Sequence, residues 1–154
     1  MKAILQRVLS GSVTVDKELV SSIGKGILVF AAVAPGDTKK EMETMASKVL
    51  RMKLWDDEAG GRVLCVSQFT LLASTKKGTK PDFHGAANPE EARLLYEYFV
   101  SKVKEGYAAD KVQDGRFQAM MEVALVNDGP VTLEFQVGGK AAPEATKQTA
   151  AASA

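Results

Sequence analysis

Residues 26–34 carry the run Ile27-Leu28-Val29-Phe30-Ala31-Ala32-Val33, which would be apolar on both faces of an extended segment. A strand with one wet face alternates apolar and polar residues. A run without alternation is buried on both sides and belongs at the centre of its sheet. Val63-Leu64-Cys65-Val66 is a second uninterrupted apolar run. It leads directly into Ser67-Gln68-Phe69-Thr70, three hydrogen-bonding side chains around one aromatic ring. Each such group buried without a partner costs on the order of 1–3 kcal/mol. These residues therefore either cap the strand and satisfy a turn, or are placed there for use.

The remaining elements follow from pattern. Residues 3–9 and 12–16 read as strands about a Ser10-Gly11 turn, and residues 19–23 as a third short strand. Pro35-Gly36 ends the central strand. Thr38 and Glu41 have capping-box spacing, Asp37 adds a carboxylate near the helix start, and Met42, Met45, Ala46, Val49 and Leu50 recur at helical intervals. Residues 53–55 read as a short strand, and residues 56–61 as a polar turn into a strand over 62–72. Asp56-Asp57-Glu58 lack the spacing of a metal loop.

Residues 74–87 form a long loop holding His84 beside Asp82. Asn88 as N-cap, Pro89 at the first helical position and Glu91 open a second helix. Leu94, Leu95, Tyr98, Phe99, Lys102 and Val103 follow its repeat, and Gly106 ends it. Residues 117–126 read as a strand with Phe117, Ala119, Met121, Val123 and Leu125 on one face. Asn127-Asp128-Gly129-Pro130 is a turn into a last strand over 131–137, where Thr132, Glu134 and Gln136 alternate with apolar residues. Residues 138–154, rich in alanine, threonine and glycine without an apolar period, read as a disordered tail. The fold class is α/β: a single domain over 1–137, a mostly antiparallel, barrel-like β-sheet with two amphipathic helices packed on one side.

At 154 residues the chain suits one domain, and a formal charge of +1 gives no overall field for nucleic acid. The one local hint is the basic cluster Lys76, Lys77 and Lys80, which reads first as a solvated loop. Cys65, the one cysteine, lies in an apolar run and reads as a core residue in a reducing compartment. No segment has membrane-spanning length and no signal-peptide pattern is present, so the expected location is cytoplasmic.

Several of these stretches, in this order, resemble the D-aminoacyl-tRNA deacylases (D-tyrosyl-tRNA deacylases). They are Gln6-Arg7-Val8, Ser12-Val13-Thr14-Val15, Ser67-Gln68-Phe69-Thr70-Leu71, Lys80-Pro81-Asp82-Phe83, Asp114-Gly115-Arg116-Phe117, and Asn127 through Thr132. The eukaryotic members are the most similar, through Lys80-Pro81-Asp82-Phe83-His84. One departure is the connection over residues 56–62, which is longer in the family.

The resemblance implies hydrolysis of the ester joining a D-amino acid to the terminal adenosine of tRNA, with glycyl-tRNA also cleaved, and no cofactor or metal. It implies a homodimer in which a cis Gly129-Pro130 peptide enters the partner's active site, braced across the dimer by Arg7. Ser67, Gln68, Phe69 and Thr70 map onto the catalytic block, and Phe117 and Met121 onto walls for the adenosine. Thr70 has no evident base beside it, so a backbone N–H of the block is the expected oxyanion donor. Two other readings stay open: an RNA-binding module without hydrolytic activity, and an esterase using Ser67, His84 and Asp82, whose geometry decides.

Overall fold

The computed structural model describes residues 1–54 and 60–139. Its elements are β1 (Lys2–Val15), β2 (Glu18–Ile23), β3 (Gly26–Ala32), α1 (Lys39–Arg51), β4 (Arg62–Ser67), α2 (Pro89–Gly106), β5 (Val112–Asp114) and β6 (Glu122–Gln136), with single 3-10 turns at Phe69–Leu72 and Ala109–Lys111.

β1 organises the sheet. Its amino half pairs with β3, from Lys2 opposite Ala32 to Val8 opposite Gly26. Its carboxyl half pairs with β2, and β6 runs along its other edge from Gln136 to Glu122. All three pairings are antiparallel, whereas β3–β4 and β4–β5 are parallel. The amide of Ser22 on β2 donates to Gln113 Oε1 on β5 at 2.9 Å, so the sheet curls almost into a barrel.

The two faces of β3 and β4 explain their unbroken apolar runs. Leu28, Leu64 and Val66 point into the barrel with Val8, Val13, Val15 and Ile23. Ile27, Val29, Ala31, Val63 and Cys65 point outward, where Met42, Met45 and Val49 of α1 and Phe99 and Val103 of α2 cover them. Each large side chain buried this completely contributes about 1.5–3 kcal/mol of transfer free energy. Both helices start as their sequences indicate. Thr38 and Glu41 form a reciprocal capping box, and the Asn88 side chain accepts from the Glu90 amide ahead of Pro89.

Six expectations change. Ser10-Gly11 is not a turn: Gly11 sits opposite both Ile23 and Leu125, so β1 continues through it. Asn127 to Pro130 likewise does not separate two strands, because β6 is continuous and absorbs the bend as register shifts opposite residues 6–10. β4 stops at Ser67, level with the end of its pairing to β3, and Phe69–Leu72 coils instead of extending. Residues 117–121 turn, with Gln118 at φ 60, and β6 begins only at Glu122. On α2 the buried face is Tyr96, Phe99, Val100 and Val103, while Leu94 is 63% exposed. Lys53 and Leu54 are not in a strand. Trp55, most of the short connection after it, and residues 140–154 of the tail lie outside the described residues.

Candidate active site

Where β4 runs out of partners, the chain opens a small cleft. The Gln68 amide donates to the Ala31 carbonyl on β3 at 2.8 Å, which turns the chain across the end of the sheet. Ser67, Gln68 and Phe69 line one side, and Tyr96 of α2 and Phe117 line another. Ala31, Ala32, Ala86, Ala87 and Ala92 fill the remaining wall. Their small side chains are what leave the space.

The block is internally ordered. Gln68 Nε2 donates to Thr70 Oγ1, and the Leu71 amide donates to the Gln68 carbonyl at 3.2 Å. The amides of Phe69 and Thr70 make no such bond among the described residues. Thr70 is exposed and its hydroxyl is held by an amide, not by a base. Phe69 meets Phe83 edge-on at 5.2 Å.

Beneath the cleft, Tyr96 is buried, stacks at a tilt on Phe117 at 5.8 Å, and donates its hydroxyl to Asp114 Oδ1 at 2.5 Å. Burial pushes the Tyr96 phenol well up, helped by the neighbouring Cys65 and Asp114. Burial also raises the Asp114 carboxyl, opposed by the bonds from Tyr96 and the Gly115 amide. The wholly buried Cys65 thiol is raised for the same reason, so it is a core group and not a nucleophile. Tyr96 and Asp114 were not among the expected site residues. The spacing of Tyr96, Phe99, Val100 and Val103 marks a helix face and was the available signal.

The other expected residues assemble elsewhere. Arg7 donates from Nη1 to the Leu54 carbonyl at 2.8 Å and from Nε to the Asp128 carbonyl at 3.2 Å. It thereby holds the bend of its own chain at Gly129-Pro130, where the peptide is cis and both residues are exposed. Met121 does not share a strand face with Phe117. It packs with the barrel-interior cluster, and its sulfur stands 2.9 Å from where a Cβ on Gly115 would lie. The side chain of His84 is 96% exposed and meets only Asp82, whose carboxyl it holds below the usual range, chiefly through its backbone amide at 2.9 Å. Among the described residues no hydrogen bond joins Ser67 to either, so the Ser67–His84–Asp82 triad is not assembled.

A profile of the D-Tyr-tRNA(Tyr) deacylase family matches residues 4–136. The D-aminoacyl-tRNA deacylase of Yarrowia lipolytica is 46% identical over 148 residues, covering 88% of this chain and 96% of that one. D-aminoacyl-tRNA deacylase 1 of Homo sapiens is 42% identical over 147 residues, covering 88% of this chain and 70% of that one. Among solved structures, the c-Myc DNA Unwinding Element Binding Protein superposes with a TM-score of 0.84 at 41% identity, over 90% of this chain and 100% of its own. Agreement in sequence and fold over nearly all the described residues makes this chain a member of the D-Tyr-tRNA(Tyr) deacylase family.

Proposed function

We propose that this protein hydrolyses the ester of D-aminoacyl-tRNA and of glycyl-tRNA, and so proofreads chirality in translation, acting in the cytoplasm where charged tRNA is used. The observation that carries the reading is the placement of Ser67, Gln68 and Phe69: the block leaves the end of β4 and forms the wall of the cleft. The terminal adenosine lies against Phe117 and Phe69, with Tyr96 behind them.

The amide of Gln68 is taken by Ala31, which leaves those of Phe69 and Thr70 to stabilise the oxyanion. Water attacks the ester carbonyl with the ribose 2′-hydroxyl assisting, and the adenosine 3′-oxygen leaves with a proton. Thr70 supports the geometry through Gln68 and does not attack.

Recognition of the amino acid falls to Gly129-Pro130 of a partner subunit. The bend lies opposite residues 6–10 of β1, whereas Ala31 in the cleft lies opposite Ala3. Three or more residues of strand separate them, roughly 10 Å or more at 3.3 Å per residue. A two-fold dimer brings an exposed bend from one chain to the cleft of the other. There its backbone carbonyls accept from the substrate ammonium, and its rigid wall excludes an L side chain. Pocket selectivity for one methylene yields only about 1–3 kcal/mol, so a wall that does not relax is required. Glycine has no Cβ to exclude.

The test is the initial deacylation rate on matched D-, L- and glycyl-tRNAs, with and without chelator. D- and glycyl-tRNA should be cleaved in both conditions and L-aminoacyl-tRNA spared. Equal D and L rates would remove the proofreading role, and no hydrolysis of any substrate would leave a binding module.

A further inference from the structure

Residues 74–82 form a closed loop whose ends are tied by two backbone bonds, Ser74 N–H to Asp82 O and Asp82 N–H to Ser74 O, each 2.8 Å. Within it stand Lys76, Lys77 and Lys80, with no carboxylate from residue 74 to residue 81. Every residue of the loop is exposed. Elsewhere, Lys2 and Lys102 pair with glutamates, and Lys39, Lys48 and Lys111 lie over aromatic rings. Among the described residues, none of the three loop lysines has either kind of partner. Asp82, the acid at the foot of the loop, is already engaged by His84.

The loop is also fixed in place. The residue after it, Phe83, packs edge-on against Phe69, which lines the cleft. The charge therefore begins within three residues, roughly 10 Å of chain, of the cleft wall. We infer that Lys76, Lys77 and Lys80 bind the phosphates of the tRNA acceptor end that leads out of the cleft. Lysine suits this task. It is a mobile point charge that neutralises a phosphate without demanding one geometry, so it reads the backbone and not the sequence. This supplies an affinity for tRNA that a net charge of +1 does not.

The inference rests on the reading of the cleft given above, and its test separates the two. The triple variant Lys76→Ala/Lys77→Ala/Lys80→Ala is compared with wild type and with the corresponding triple arginine variant. The first readout is binding of uncharged tRNA against salt. Each phosphate contact adds about 0.7–0.9 to the slope of log K on log salt, so the alanine variant should lose about 2–3 of that slope and the arginine variant should keep it. The second readout is kinetics on D-aminoacyl-tRNA and on 3′-O-(D-aminoacyl)adenosine. The alanine variant should show KM raised about 10-fold on tRNA, kcat unchanged, and no change on the adenosine ester. An unchanged salt slope overturns the inference. A KM raised equally on both substrates also overturns it, because the loop would then be shaping the cleft. If wild type hydrolyses neither substrate, the reading of the cleft falls, and the salt slope alone still decides the loop.

Discussion

Arg7 and Asp128 lie 121 positions apart and meet twice, through Arg7 Nε to the Asp128 carbonyl at 3.2 Å and to its carboxylate at 3.5 Å. The same guanidinium spans to Leu54, so one side chain ties β1, β6 and the segment after α1.

Arg7→Ala should lower stability by about 1–2 kcal/mol, the lower part of the range for charged donors, because the site is still partly wet. It should lower kcat/KM on D-aminoacyl-tRNA by roughly 10–100-fold, because the bend loses its brace. Arg7→Lys should recover little, since an ammonium does not reproduce the fork that reaches two carbonyls. Urea denaturation and steady-state kinetics check this. Wild-type activity in Arg7→Ala contradicts the bracing role.

His84→Ala should leave the deacylation rate within about twofold, because an exposed imidazole paired only with Asp82 has no route to the cleft. A loss of several orders of magnitude in a folded protein would put the histidine back into the chemistry.

Gly26→Ala should be severe. A Cβ there would stand 2.0 Å from the Arg62 carbonyl oxygen, where β3 and β4 first pair. Backbone on both sides leaves no flexible group to move, so a loss of about 3 kcal/mol or more is expected. The denaturation midpoint reports it directly, and a midpoint equal to wild type would mean the strands separate without penalty.

Asp114 makes a pH prediction. Its folded carboxyl is raised above the ordinary value, mainly by burial, so the folded state holds the proton more tightly than the unfolded one. Below the unfolded value near 3.8 there is no penalty, and stability is lost as pH rises from there through the folded value. Asp114→Asn keeps an acceptor for Tyr96 and removes this dependence. Its stability relative to wild type should therefore increase from about pH 3 toward neutrality, measured by paired denaturation curves. A constant difference across that range counts against a raised carboxyl.

The sequence by itself determined the helix starts, the two-faced central strands, the core role of Cys65 and the family, each for a local reason. Thr38 and Glu41 cap each other across three residues, and the alternation of Ile27, Val29 and Ala31 against Leu28 is complete within one strand. Only the tertiary structure decided whether turn-like residues turn. Ser10-Gly11 and Asn127 to Pro130 carry turn chemistry, yet both lie within β1 and β6, because these strands satisfy each other's backbone along nearly their whole length. The converse holds at Phe69, whose apolar neighbourhood favours a strand but which coils once β3 has ended and no partner remains. Pairing across more than a hundred residues outweighs local preference, and its absence releases it. The cleft is the product of that release: β4 ends, Ser67, Gln68 and Phe69 line the opening, and Tyr96 and Phe117 arrive from segments no local pattern connects.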